Sequence, residues 1–314
     1  MKKLAVVSFG GSALLLANQR GTIDELEENA YYACTHLINL IERNFNLVIT
    51  HGNGPQVGNI LLANTAGNKL YGLPEMPLDI SVAYSQGFIG YILEQQLRNV
   101  LMSKDMDRDI ISIITQILVN KDDAAFQHPA KPIGPFYTKD EADRLSKETS
   151  SKFKEDIRGR GWRKVVASPT PLMIYNRKSI ENIAREGHIV IAVGGGGIPC
   201  FFVESNKLQG IDAIIDKDIA SALLASQIQA DKLFIITDVP KVCLNYNSPK
   251  ETALDKLTIA EAKRYLDEEQ FDGDTMAPKI RAAIHFVERS GKEAVITDLA
   301  GLLTEDSGTQ ITIV

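Results

Sequence analysis

Apolar residues fall along this chain in two alternating rhythms. The runs LAVVSF (4–9), NLVIT (46–50), DIISIIT (109–115), HIVIAV (188–193), KLFIIT (232–237) and EAVIT (293–297) each have the length of one buried strand. Between them lie longer stretches with apolar positions three or four residues apart. From Ile23 to about Arg43, the residues Ala30, Ala33, Cys34, Leu37, Ile38 and Ile41 line one helix face, and Thr22 with Glu25 predicts a capping box at its start. HGNGPQVG (51–58) turns into another helix. Further helices are predicted over 81–103, from 179, over 219–229, from 258 and over 278–290, with a last strand in TQITIV. Strands alternating with helices predict an α/β fold, a mostly parallel sheet covered by helices.

The rhythm breaks between Asn120 and Lys164, where 19 of 45 residues are charged and prolines and glycines cluster. Phe126, Phe136, Tyr137, Phe153 and Trp162 supply anchors that a disordered linker lacks, so the insert is expected to form a small protruding lid.

Composition narrows the function by exclusion. A net charge of −6 over 314 residues argues against sequence-independent nucleic-acid binding, which needs a basic face. Cys34, Cys200 and Cys243 are far apart and predict neither a disulfide framework nor a zinc site. No run reaches the length of a membrane span. The basic and apolar N-terminus has a signal-like look, but Gly10-Gly11-Ser12 interrupts it and cleavage would remove the first strand. A cytoplasmic location is the expectation.

Three glycine-rich turns each follow a buried strand: Gly10-Gly11-Ser12, Gly52-Asn53-Gly54, and Gly194 to Gly197. Glycine lets backbone N–H groups approach an anion, and three such turns at the carboxyl ends of strands point to phosphate binding. No Walker motif, G-x-G-x-x-G helix start or protein-kinase signature is present. Positive charge must come from elsewhere. Lys217 sits in the apolar run AIIDKDIASALLA between Asp216 and Asp218, where it needs an anionic partner; Lys279 stands at a helix start against the dipole; Lys131 lies between two prolines of the insert. His51 is a poor candidate for a general base beside so many backbone N–H donors.

HGNGPQVGN, KPIGPF, RGRGWRKVVAS, VGGGGIP, AIIDKDIASALLA and TMAPK resemble the successive signature blocks of carbamate kinases, in order and across essentially the whole chain. The resemblance implies a three-layer αβα sandwich with a mostly parallel central sheet and a homodimer. Residues 1–207 would hold carbamate or carbamoyl phosphate, with the lid at 120–164, and residues 208–314 would hold ATP or ADP. It also implies reversible phosphoryl transfer between ATP and carbamate, with Mg²⁺ carried mainly by the nucleotide phosphates and a net direction towards ATP in arginine, agmatine or purine breakdown. By position, Lys131, Lys217, Lys279 and Asp216 would be catalytic, with Asp216 organising the lysine and the magnesium-bound phosphates. Gly10, Gly11, Ser12, Gly52, Asn53 and Gly54 would bind the small substrate. Gly195, Gly196, Asp238, Tyr246, Met276, Ala277 and Lys279 would bind the nucleotide.

The chain departs from the family pattern at Ser12, where asparagine is usual, at Pro240, where aspartate is common, and at Asp274 before the last lysine. These departures leave room for a kinase of another small carboxylate, or for a catalytically weak carbamoyl-phosphate or nucleotide-binding protein. Acetylglutamate kinases and aspartokinases typically carry a lysine where this chain has Ser8.

Overall fold

The computed structural model describes residues 2–16, 19–149, 151–156, 159–273 and 275–314; the side chains of Ser12 and Ser205 also lie outside the description. The first half runs β1 (Lys3–Phe9), α1 (Ile23–Glu42), β2 (Phe45–His51), α2 (Gly54–Tyr71), α3 (Leu78–Ser103), β3 (Ile110–Ser112) and β4 (Gln116–Val119). The insert follows as β5 (Lys131–Tyr137), α4 (Lys139–Thr149), β6 (Lys152–Glu155) and β7 (Trp162–Val166). Then come β8 (Pro171–Ile174), α5 (Arg177–Arg185), β9 (Ile189–Ile191), β10 (Ile198–Phe202), β11 (Leu208–Gly210), α6 (Lys217–Gln227) and β12 (Lys232–Ile236). The chain closes with β13 (Val242–Leu244), β14 (Thr252–Leu254), β15 (Lys256–Thr258), α7 (Ile259–Asp267), α8 (Met276–Ser290), β16 (Ala294–Thr297) and β17 (Thr309–Thr312).

Eight strands form the central sheet in the order β15-β17-β16-β12-β1-β2-β9-β3, all parallel except the β16–β17 pair. Alternate side chains of β1 leave on opposite faces. Leu4 and Val6 join a core with α5, α6 and α8, whereas Ala5, Val7 and Phe9 join a core with α1 and α3. This makes the αβα sandwich and explains why the run reads as continuously apolar. The Thr22–Glu25 capping box is formed, and a second one, Thr258 with Glu261, opens α7.

One expected strand is split. DIISIIT stays in the central sheet only over β3, and β4 then pairs with β10 and β8 in a separate four-stranded sheet. The buried Gln86 amide of α3 makes the break by accepting from the Thr115 N–H at 2.8 Å and donating to the Thr115 carbonyl at 3.2 Å. The Thr115 N–H would otherwise need a strand partner, while its carbonyl also accepts from the Ile198 N–H of β10 at 2.9 Å.

The insert has its own three-stranded sheet, β5-β7-β6. Tyr137 meets Phe153 edge-on, with ring centroids 5.6 Å apart, and Arg160 and Arg163 lie over the Phe136 ring. It rests on α2 through an approach with no room for a side chain: a Cβ on Gly58 would lie 2.1 Å from the Gly134 Cα. Gly58→Ala is therefore expected to push β5 off α2 and cost about 1–3 kcal/mol, as overpacking does. Urea unfolding with limited proteolysis of the insert checks this, and unchanged stability and cleavage would refute it.

Candidate active site

The first turn of α6 carries most of the charge. Asp216 is its N-cap: its Oδ1 accepts from the backbone N–H groups of Asp218 (2.9 Å) and Ile219 (3.3 Å). Its Oδ2 accepts from Lys131 Nζ at 2.6 Å, which ties β5 of the insert to α6. Lys217 turns towards β1, where Nζ donates to Asp218 Oδ1 at 2.5 Å and to Ser8 Oγ at 3.0 Å. On the other side, Lys279 in the first turn of α8 donates from Nζ to Asp218 Oδ2 at 3.0 Å.

Asp218, not Asp216, thus holds both buried lysines together, and Asp216 caps the helix and anchors Lys131. The lysine that Asp216 bonds directly is Lys131, and Asp216 acts on Lys217 and Lys279 only through its charge. Burial alone would raise the Asp218 carboxyl, but Lys217 and Lys279 hold it well below the usual carboxylate range. Burial also pulls Lys279 down, and Asp218 more than reverses that; for Lys217, burial prevails and lowers its proton affinity. Three ammonium groups face two carboxylates in the Lys131–Asp216 and Lys217–Asp218–Lys279 contacts, an excess of one positive charge. An uncompensated buried charge is costly, so this arrangement favours an incoming anion.

Two glycine turns meet Lys217. A Cβ on Gly52 would lie 3.3 Å from Gly11 N and 3.5 Å from Lys217 Cδ, and Gly52 N–H donates to the Phe9 carbonyl at 3.2 Å. Cβ atoms on Gly11 and Gly54 would meet only open space, which leaves a backbone-lined recess. Gly10 caps the short helical turn at Gly11–Ala13, in which Ser12 lies. Asn53 turns its side chain away from the recess, with Nδ2 donating to Ser85 Oγ at 2.8 Å, so only its backbone faces the turn's open side.

Behind these turns stands the third glycine run. A Cβ on Gly195 would strike Asn53 Nδ2 at 2.0 Å, and one on Gly196 would lie 2.4 Å from the Ile215 carbonyl oxygen. Gly195 packs against the second turn and Gly196 against Ile215, just ahead of the α6 cap, and neither lines the nucleotide-sized cavity. That cavity, about 330 Å³, is lined by Asp238, Lys241, Tyr246, Met276 and Lys279, with Asp156 and Arg160 reaching in from the insert. Ala277 is buried in the core next to Met276. A second cavity of about 410 Å³ lies under the insert, bordered by Lys131 and Asp216 and sharing Asp156 with the first. Asp274 lies outside the described residues, as does the Ser12 side chain.

Sequence reasoning missed Asp218, Ser8, and the Asp156–Arg160 pair at the cavity wall. His51 is buried behind the second turn, donating from Nδ1 to the Gly52 carbonyl across 3.0 Å when neutral. Burial pushes its imidazole down to about 4, with Lys217 adding to the effect. The unfolded chain, with an ordinary value near ~6.5, binds the extra proton first, so stability is full above that pH and falls towards pH 4 by about 3 kcal/mol. Replacing the imidazole in His51→Gln should flatten this part of the curve. Urea midpoints at pH 7 and pH 4.5 test it, and parallel losses in both proteins would refute it.

The Amino acid kinase family model matches residues 3–298. This chain belongs to the amino acid kinase family. Within it, the chain is 44% identical to a carbamate kinase of Pyrococcus horikoshii, over 99% of this chain and 100% of that one. It is 40% identical to the carbamate kinase-like protein YahI of Escherichia coli, with 99% of each covered. The solved structure of Giardia lamblia carbamate kinase bound to AMP-PNP superposes with a TM-score of 0.89 at 39% identity, covering 99% of this chain and 98% of that one. These relatives place the chain in the carbamate kinase group of the family.

Proposed function

We propose that this protein is a carbamate kinase, catalysing ATP + carbamate = ADP + carbamoyl phosphate. The observation that carries the reading is the buried Lys217–Asp218–Lys279 cluster, with its excess positive charge, between a backbone-lined recess and a nucleotide-sized cavity. The relatives' names and the AMP-PNP bound to the Giardia enzyme support the same substrates.

In this reading the adenine end of the nucleotide lies against Tyr246 and Met276 beside Asp238, and its phosphates extend to Lys279 and Lys217. Carbamate rests over Gly10, Gly11 and the Gly52-Asn53-Gly54 turn, and Lys131 approaches from the insert, which acts as the lid. A carbamate oxygen attacks the γ-phosphorus as the bond to the ADP oxygen breaks. In reverse, an ADP β-phosphate oxygen takes the phosphoryl group and carbamate leaves. The attacking oxygen is already ionised, so no general base is required, in keeping with a His51 held neutral. The work of the site is positioning and neutralising charge on the transferring group.

Among the described residues no three His, Cys, Asp or Glu side chains converge as a metal cage. Mg²⁺ commonly keeps its waters and is held by substrate phosphates, which suits this donor set, with Asp216 near those phosphates. When bound, it would neutralise phosphate charge. Residues 1–207 then serve the small substrate and 208–314 the nucleotide. A homodimer is supported by an exposed apolar row on α3, with Ile80, Tyr84 and Tyr91 at 42%, 49% and 62% exposure. No helix among the described residues is long and apolar enough to cross a membrane, and we place the enzyme in the cytoplasm, running towards ATP.

ATP formation from ADP, Mg²⁺ and carbamoyl phosphate tests the reading, with acetyl phosphate as a comparison donor. Marked preference for carbamoyl phosphate is expected. The carbamate kinase-like E. coli relative and Ser12 favour a second reading, a kinase of another small carboxylate, which preference for acetyl phosphate would support.

A further inference from the structure

Ser8 lies on β1 two residues before the first glycine turn and is wholly buried. Its hydroxyl closes a triangle within the charge cluster. Oγ accepts from Lys217 Nζ at 3.0 Å and donates to Asp218 Oδ1 at 3.0 Å, while those two residues bond each other directly. A lysine ammonium has three N–H donors. With one on Asp218 and one on Ser8, Lys217 keeps a single donor whose direction is fixed. Lys279 has only its bond to Asp218 among the described contacts and keeps two.

The next strand repeats the device. Thr50 stands beside Ser8 in the β1–β2 register, and its hydroxyl meets Ser221 Oγ at 2.6 Å. Ser221 in turn donates to the Lys217 carbonyl at 2.5 Å. Neighbouring hydroxyls on two central strands thus grip the residue that opens α6, one through its side chain and one through its backbone. Both side chains are wholly buried, and the two hydroxyls face the one helix turn that carries the lysine.

We propose that Ser8 is a positioning residue for phosphoryl transfer, turning Lys217 from a rotating ammonium into a donor aimed at the recess beside Gly52. This rests on the carbamate kinase reading. Ser8 touches no substrate and acts through Lys217. Its hydroxyl favours the protonated lysine, because it accepts from the ammonium while supporting the ionised Asp218. The charged and titratable groups facing Lys217 are Asp218 and Asp216 on α6, Lys279 on α8 and His51 at the end of β2.

Ser8→Ala removes the hydroxyl with little change in volume, and Ser8→Thr keeps it. In the alanine variant kcat is expected to fall about tenfold, the effect of one hydrogen bond to a charged group, with KM for ADP unchanged. Ser8→Thr should recover most of the loss. A second measurement needs no turnover: trace acetylation of Lys217 against pH in the unliganded protein, read by mass spectrometry. Its midpoint should move to lower pH in Ser8→Ala and stay in place in Ser8→Thr. Wild-type kcat and an unmoved midpoint in the alanine variant would overturn the proposal. Should wild-type protein fail to use carbamoyl phosphate, the functional reading falls, and the acetylation midpoint still decides the role of Ser8. If neither substitution folds, Ser8→Cys, close in size and a weaker hydrogen-bonding group, should show the same downward midpoint shift, and an unmoved midpoint there would equally overturn it.

Discussion

Lys217→Ala is expected to lower kcat/KM for ATP formation from carbamoyl phosphate by about a hundredfold to a thousandfold. At about 4 Å and an effective dielectric near 20, one ammonium attracts a unit of charge by about 4 kcal/mol, and each 1.4 kcal/mol is a factor of about ten. Lys279 remains in the variant, but Asp218 then offsets it, so the Lys217–Asp218–Lys279 group falls from one positive charge to none. The transferring phosphoryl group would meet a neutral site. Nucleotide affinity should change far less, because Tyr246, Met276 and Asp238 line a cavity that Lys217 does not border. Initial rates together with calorimetric ADP binding separate the two effects. Undiminished turnover in the variant would remove Lys217 from the mechanism.

Why the sequence pointed to the lysines but passed over their carboxylate is a matter of helix phase. Lys217 and Lys279 stand out because each sits where a cation is costly, and such costs are visible residue by residue. Asp216 and Asp218 flank Lys217 symmetrically in the chain, and nothing local distinguishes them. The fold does, because Asp216 falls at the N-cap, where one oxygen is taken by backbone N–H groups, and Asp218 falls at the second position of the helix, where it is buried. Its second partner, Lys279, is 61 residues away. Only the packing of α8 on α6 brings the two together.

The glycine runs show the same limit from the other side. All three follow strands and look alike in sequence, yet Gly11 and Gly54 face open space, whereas Gly195 and Gly196 are small because Asn53 and Ile215 crowd them. Local pattern was enough for the alternating strands, the Thr22 capping box and the aromatic anchors of the insert. It failed at Thr115, where a strand pattern is interrupted by the amide of Gln86, 29 residues earlier. A side chain that replaces a strand partner leaves no mark on the apolar rhythm around the break.

The Asp218 assignment carries the second large expectation. Asp218→Asn keeps the shape and removes the charge that Lys217 and Lys279 share, leaving two ammonium groups with no counter-ion between them. Breaking a buried pair in this way typically costs about 3–5 kcal/mol. The deficit should depend on pH with a definite sign. In the variant both lysines bind their protons less tightly folded than unfolded, so the unfolded chain holds more protons up to about pH 10.4, and stability rises with pH towards that value. In the wild-type protein Asp218 holds Lys279 above the ordinary lysine value, so its contribution persists to higher pH. The gap between variant and wild type is therefore widest near neutrality and narrows as the variant's lysines lose their protons. Urea unfolding at pH 7 and pH 9.5 measures both points, and turnover should be lost at either. Coincident midpoints at pH 7 would mean that the two lysines do not depend on Asp218, and the excess charge that makes this site attract a phosphoryl group would have to be sought elsewhere.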